Sequence, residues 1–324
     1  MAPTVYPLTL SLLAGLSTTL GALLALVLTQ APQEGEEAVA SSATIMSGSL
    51  ALAGSAMVTV TLYSIVPECI HEASSRHDIV QSILCFILGG TGYALLAHVV
   101  VPPDSAGEEE IAQAWLALDY QTTSSSLHNN QTVMVPMPNH DAALMTMPSH
   151  DATTSWEDRR RAWRLTLVLF ATLAAHNFPE GLAVAASAVQ SQRMGQTTAI
   201  AIALHNIPEG LAISVPCLAA RPDAPWLAVG LASLSGLAEP LGALVTVILL
   251  QQQSQHETIG TVVAKQCLPN VLALVGGIMS AVACRELFPE ACRYSKNRGD
   301  FTPFVVGVVL GAGLMVGSES VLAK

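Results

Sequence analysis

The sequence predicts an all-α polytopic membrane protein, with about eight transmembrane helices and a long loop between the third and fourth. Three observations lead there. Half of the 324 residues are hydrophobic and only 11% are charged, whereas a soluble domain carries about a quarter charged residues. The few charges are bunched, leaving charge-poor runs of the roughly 18 or more residues that a membrane helix requires. Finally, short segments recur in spans that cross in opposite directions, which predicts inverted pseudo-symmetry.

Taken in order, the spans fall at about 5–30, 44–66, 79–101, 164–188, 195–219, 225–250, 267–289 and 301–321. The first has no charged segment before it and exceeds the apolar core of a signal peptide, so it reads as a retained span. The fourth to seventh contain or abut charged residues, which lowers their hydropathy without removing their length. The mean hydropathy of the whole chain is +0.50.

An even number of spans puts both termini on one side. The basic residues near span ends on that side are Arg76, Arg193, Lys265 and Lys324. Those on the other side are Arg159, Arg160, Arg161, Arg164, Arg221, Arg293, Lys296 and Arg298. The richer side is expected to be cytoplasmic, so the termini are expected to be extracellular or lumenal.

That assignment makes residues 104–161 a cytoplasmic loop. Its Ser/Thr/Asn-rich, acidic composition predicts little fixed structure, although EEEIAQAWLALDY suits a short amphipathic helix. Met-Pro-x-His-Asp occurs in it twice, ten residues apart, presenting His140, Asp141, His150 and Asp151. These are weak metal-ligand candidates by residue type, but a duplicated low-complexity linker accounts for them more simply. The net charge of −11 argues against a nucleic-acid partner, which requires a basic face. The six cysteines are scattered with no CxxC pair and read as small buried apolar residues.

The chemistry concentrates in AAHNFPEGLA (174–183) and ALHNIPEGLA (203–212). On a helix, His176 and Glu180 share a face, as do His205 and Glu209, with Asn177 and Asn206 one position round. Pro179 and Pro208 each remove a backbone N–H and free the carbonyl four residues back, at Ala175 and Leu204. In lipid such a carbonyl needs a partner. Ionisable residues at mid-span cost about 2.5–3.5 kcal/mol for Asp, Lys or Arg on the insertion scale, and they mark pathways or ligand sites. Two carboxylates brought together repel. A divalent cation between them relieves the repulsion, and imidazole with carboxylate and amide oxygens is a ligand set for Zn²⁺, Fe²⁺ or Mn²⁺. A lone histidine would read as a hydrogen-bonded helix contact; two copies of HNxPEG read as one metal site.

Span six adds Glu239, beside Pro240, as a further carboxylate for the same site. In span seven, Arg285 and Glu286 leave three readings open: an internal ion pair, a second metal position, or an interfacial helix end. Spans two and seven end alike, in Pro67–Glu68 and Pro289–Glu290. Their opposite directions, and those of spans four and five, suggest inverted halves like those of secondary transporters.

At these residues the chain resembles the ZIP (Zrt/Irt-like) family of divalent-metal transporters, most closely its ZupT-like bacterial branch, which also reads HNFPEG then HNIPEG. The strong likeness covers about 165–245 and weakens through spans two and seven. The resemblance implies a binuclear site between spans four and five, with span six contributing. His176, Glu180, His205 and Glu209 would hold the transported metal; Asn177, Asn206 and Glu239 would complete a second position, with Glu180 and Glu209 bridging. Glu286 would be an auxiliary pathway ligand. Some members carry aspartate where this chain has Asn206, so its second position is less negative. Also implied are movement of metal towards the cytoplasm, sliding of one helical bundle against another, and a homodimer in the lipid bilayer. Zn²⁺ is the expected substrate, with Fe²⁺, Mn²⁺, Co²⁺ and Cd²⁺ as further candidates, and no cofactor is expected.

Two other function classes compete. An intramembrane zinc-dependent hydrolase would also place His and Glu on membrane helices, but HExxH is absent, and two equivalent motifs suit alternating access better than an asymmetric catalytic centre. A metal sensor that does not transport would use the 137–154 segment as its output and show no flux. No GxxxxGK[ST] motif occurs, which argues against direct drive by ATP.

Overall fold

The long apolar runs of the sequence fold as helices, since in lipid every backbone polar group must be satisfied within its own segment. The structure is a computed structural model describing residues 5–29, 36–73, 75–100, 150–252 and 268–322. The helices are α1 (Val5–Thr29), α2 (Glu36–Val60), α3 (Val66–Glu72), α4 (Arg76–Val100), α5 (His150–Gln190) and α6 (Gln192–Ala220). They continue with α7 (Pro225–Gly236), α8 (Ala238–Gln252), α9 (Leu268–Val282), α10 (Phe288–Arg298) and α11 (Thr302–Leu322). Among the described residues there is no strand. Among the described residues, seven helical segments are long and apolar enough to cross a membrane, and α11 supplies a shorter apolar stretch, Thr302–Ser318.

Four spans depart from the expected bounds, in three ways, each for a local reason. The second and seventh run on past their expected ends, to Glu72 and Arg298. Pro67 and Pro289 lack the N–H that would pair with Tyr63 and Arg285, and a five-residue π turn precedes each one, Thr61–Ile65 and Ala283–Leu287. The wider turn bonds Val66 N–H to the Thr61 carbonyl and Phe288 N–H to that of Ala283, carrying the helix through. Span six is broken at Leu237 between α7 and α8. The break puts Pro240 in the first turn of α8, where a missing N–H leaves no bond unmade.

The third departure is α5, which begins at His150, so the last part of the 104–161 loop is helical. The spacing of Glu157 and Arg161 suits a helix, but its charge hides the segment from hydropathy. His150 and Asp151 lie at this helix start. His140, Asp141 and the EEEIAQAWLALDY segment lie outside the described residues.

The helices form two groups. One gathers α1, α5, α6, α7 and α8; the other gathers α2, α3, α4, α9, α10 and α11. A shared apolar core joins them, with Leu169, Ile213 and Cys217 on the first side and Leu50, Met57 and Met279 on the second, all almost completely buried. At one edge Arg293 of α10 bonds Asp158 of α5 at 2.5 Å and Glu290 at 2.7 Å. Helix α1 shows how the groups meet lipid. Leu13, Leu16, Leu20, Leu24 and Val27 are exposed, whereas Ala14, Thr18, Gly21, Ala22 and Ala25 are buried. Small residues on the inner face let backbones approach closely.

The two halves repeat one another. Shifting α2 by 222 positions superposes its π turn and Pro-Glu pair on those of the seventh span. A Cβ added to Gly89 would strike the Leu274 carbonyl, and one on Gly311 the Leu52 carbonyl. The same shift of 222 converts the first pair into the second. The α4–α9 contact thus recurs as the α2–α11 contact. Counted as eight crossings, the matched spans two and seven, and three and eight, run in opposite directions, which makes the repeat an inverted one.

Candidate metal site

Each HNxPEG motif sits within a long helix, α5 for the first and α6 for the second, and both helices continue through their internal prolines. The i,i+4 spacing brings His176 Nε2 to 3.1 Å from Glu180 Oε1. The helices then cross-connect: His176 Nε2 lies 3.2 Å from Glu209 Oε1, and His205 Nε2 lies 2.6 Å from Glu180 Oε1. One ligand atom from each of these four residues fits within 4.8 Å of all the others. None of the four is more than 6% exposed.

The flanking amides and Glu239 are held by the neighbouring helices. Asn177 Nδ2 donates to the Ser235 carbonyl at 3.2 Å and to its hydroxyl at 3.3 Å. Asn206 Nδ2 donates to the Ala14 carbonyl at 3.1 Å and also to Glu239 Oε1. Glu239 is fully buried and lies in the first turn of α8, where the helix N-terminus favours a negative charge. The break in span six therefore serves the site by placing that carboxylate at a helix start.

The close helix contacts come from the glycines that follow each glutamate. A Cβ on Gly181 would collide with the Glu239 carbonyl, and one on Gly210 with the Thr18 carbonyl. Only glycine lets α8 and α1 come this close beside Glu180 and Glu209.

The pairing is also incomplete in a consistent way. His176 Nδ1, Asn177 Oδ1, Glu180 Oε2, Asn206 Oδ1, Glu209 Oε2 and Glu239 Oε2 are all buried without a hydrogen-bond partner among the described residues. One orphaned buried polar atom costs about 1–3 kcal/mol, and these six are nitrogen and oxygen donors of the kinds that ligate cations. Imidazole nitrogens and carboxylate oxygens suit Zn²⁺ and its first-row neighbours.

Glu286 does not join this cluster. It lies on the π turn of the seventh span and accepts the Tyr93 hydroxyl at 2.9 Å, while neighbouring Arg285 is exposed. Tyr93, Thr18, Ala14 and Ser235 are the participants that sequence reasoning missed. A phenol within the third span, in GGTGYALLAH, was the one available signal for Tyr93. Thr18 and Ser235 resemble any small polar residue of a membrane span, and Ala14 contributes only its backbone.

A family model described as ZIP Zinc transporter matches residues 109–319. The chain is 30% identical over 312 residues to Zinc transporter ZupT of Stenotrophomonas maltophilia (strain R551-3), spanning 95% of this chain and 92% of that protein. It is 40% identical over 152 residues to Zinc transporter ZupT of Chlorobium luteolum, covering 47% of this chain and 53% of that one. Zinc transporter ZTP29 of Arabidopsis thaliana is 39% identical over 126 residues, 39% of this chain and 42% of that one. With the buried His–Glu cluster on helices long enough to span a membrane, these matches show that the chain belongs to the ZIP family of zinc transporters.

Proposed function

We propose that this protein carries divalent metal cations, Zn²⁺ foremost, across its membrane towards the cytoplasm, without acting as an enzyme. The observation that carries the reading is the meeting of two sequence-duplicated His/Glu pairs within 4.8 Å, buried between membrane helices. His176, Glu180, His205 and Glu209 hold the cation in transit. Asn177, Asn206 and Glu239 complete a neighbouring position, with Glu180 and Glu209 bridging the two.

The cation is cargo, so the site must bind it well enough to replace its water and loosely enough to release it. Neutral histidines and shared carboxylates do both. The nitrogens and oxygens replace hydration, and each glutamate keeps a second oxygen for the next ion position. Glu286, tied to Tyr93, serves as an auxiliary ligand on the pathway. The two helix groups supply the moving parts, the first carrying the site past the second. The membrane-facing apolar surface sits in a lipid bilayer, with termini outside or in a lumen and the 104–161 connection in the cytoplasm. A homodimer is the assembly in keeping with the family.

The test is zinc uptake by the full-length protein in liposomes loaded with a zinc-sensitive dye. Uptake above empty liposomes, abolished by Glu209→Ala, is the expected result. Zinc bound without any flux would favour a sensor instead, and unchanged uptake by Glu209→Ala would remove the site from the pathway.

A further inference from the structure

The inverted repeat extends into the metal site, and it breaks there at one residue. Residues 14–21 of α1 correspond to 235–242 of α7 and α8 at a shift of 221, while the α5 motif maps onto the α6 motif at a shift of 29. The bond from Asn177 to the Ser235 carbonyl becomes that from Asn206 to the Ala14 carbonyl. Gly181 against the Glu239 carbonyl becomes Gly210 against the Thr18 carbonyl. Gly242 against Phe178 becomes Gly21 against Ile207, and Gly15 and Gly236 face one another across the axis.

Under this rule the counterpart of Glu239 is Thr18. Glu239 reaches Asn206 with its carboxylate. The threonine hydroxyl sits two carbons nearer its backbone, so the corresponding bond to Asn177 is missing. Thr18 Oγ1 and Asn177 Oδ1 are both buried and without a partner among the described residues, although both residues are fully buried. Thr18 packs against Gly210, the residue after Glu209, as Glu239 packs against Gly181, the residue after Glu180. The unpaired hydroxyl thus belongs to a residue whose backbone abuts the one after Glu209. Ser11, two turns away on the same face of α1, has an unpaired buried hydroxyl as well.

We propose that Thr18, the two-fold counterpart of Glu239, adds a further uncharged oxygen beside the Asn177 amide, extending the neighbouring position that Asn177, Asn206 and Glu239 form. This position serves cations that require more than four donors, Mn²⁺ above all. The proposal rests on the metal-transport reading of the cluster. Zn²⁺ is satisfied by four ligands in a tetrahedron, and the two imidazoles and two carboxylates supply them. Mn²⁺ favours six, mostly oxygen. A hydroxyl and an amide oxygen, directly or through one water held between them, supply the additional donors without adding a charge. Thr18 is thereby a specificity-determining residue.

The experiment compares Zn²⁺ and Mn²⁺ dissociation constants, by calorimetry on the full-length protein in detergent, for wild type, Thr18→Val and Thr18→Ser. Valine keeps the shape and removes the hydroxyl; serine keeps the hydroxyl. We expect Thr18→Val to weaken Mn²⁺ about tenfold, the size of one lost polar contact. Zn²⁺ binding stays within about twofold, and Thr18→Ser keeps the wild-type ratio. An unchanged Zn²⁺ to Mn²⁺ ratio in Thr18→Val overturns the proposal. So does equal loss of both metals, or the absence of Mn²⁺ binding to wild type. Failure of wild type to bind Zn²⁺ overturns the transport reading itself, which separates the two failures.

Discussion

Glu180 and Glu209 show how much of the site depends on single atoms. Each uses one carboxylate oxygen towards a histidine and leaves the other unpaired. Glu209→Gln keeps the shape but removes the charge, and a ligand lost outright should cost at least the 10- to 100-fold associated with outer-shell partners. Zinc uptake by that variant is therefore expected to fall about a hundredfold or more, with unfolding temperature little changed. Asn206→Asp adds a charge beside Glu239, and a carboxylate pair repels unless a cation lies between. That variant is expected to bind a second Zn²⁺ equivalent more tightly than wild type, read by calorimetric stoichiometry. The seven candidate residues stood out in the sequence because ionisable and amide side chains are conspicuous in apolar spans and the motif is written twice. Thr18 was not. Threonine is ordinary in a membrane helix, and its significance appears only once α1 is seen to mirror α8.

Among the helices, the spans were legible from hydropathy because length and apolar content decide whether a segment can cross lipid. Their irregularities were not. The sequence showed Pro67, Pro240 and Pro289, but not that two would be absorbed by π turns and one would divide a span at Leu237. Each outcome depends on what the neighbouring helix can satisfy. Packing at the glycines yields a test at this scale. Gly210→Val would drive a branched side chain into the Thr18 carbonyl of α1. Overpacking costs about 1–3 kcal/mol where neighbours can shift, and a backbone carbonyl yields less readily than a side chain. A lowered unfolding temperature in detergent, with loss of zinc binding, is expected. Gly230→Ala, where an added methyl meets nothing within 4 Å, is the matched control and should retain both. By contrast, the Asp158–Arg293 pair is half-exposed on the aspartate side, and Asp158→Asn should cost no more than about 1 kcal/mol.

For the molecule as a whole, the inverted repeat joins fold to function. A path that opens alternately to two sides has to be reversible, and two similar halves of opposite direction supply two similar end states. The proposed orientation rests on the distribution of Lys and Arg. A protease-cleavable tag at the C-terminus should be cut from outside intact cells or vesicles, whereas one placed in the 104–161 connection should be cut only after permeabilisation. The reverse pattern would invert the assigned direction of transport. The repeat was only partly legible beforehand. The duplicated HNxPEG and the two Pro-Glu endings announced it, but the matching of α1 with α7 and α8 rests on a shared GLxxxLG of glycines and leucines, which are ordinary residues of a membrane span.

The central claim is that two copies of one motif build a single cation site. The most direct measurement is the zinc anomalous signal from crystals of the full-length protein grown with Zn²⁺. The account predicts a peak about 2.0–2.2 Å from one imidazole nitrogen or carboxylate oxygen of each of His176, Glu180, His205 and Glu209. Two separate peaks, each held by one motif alone, or a peak remote from both motifs, would contradict it.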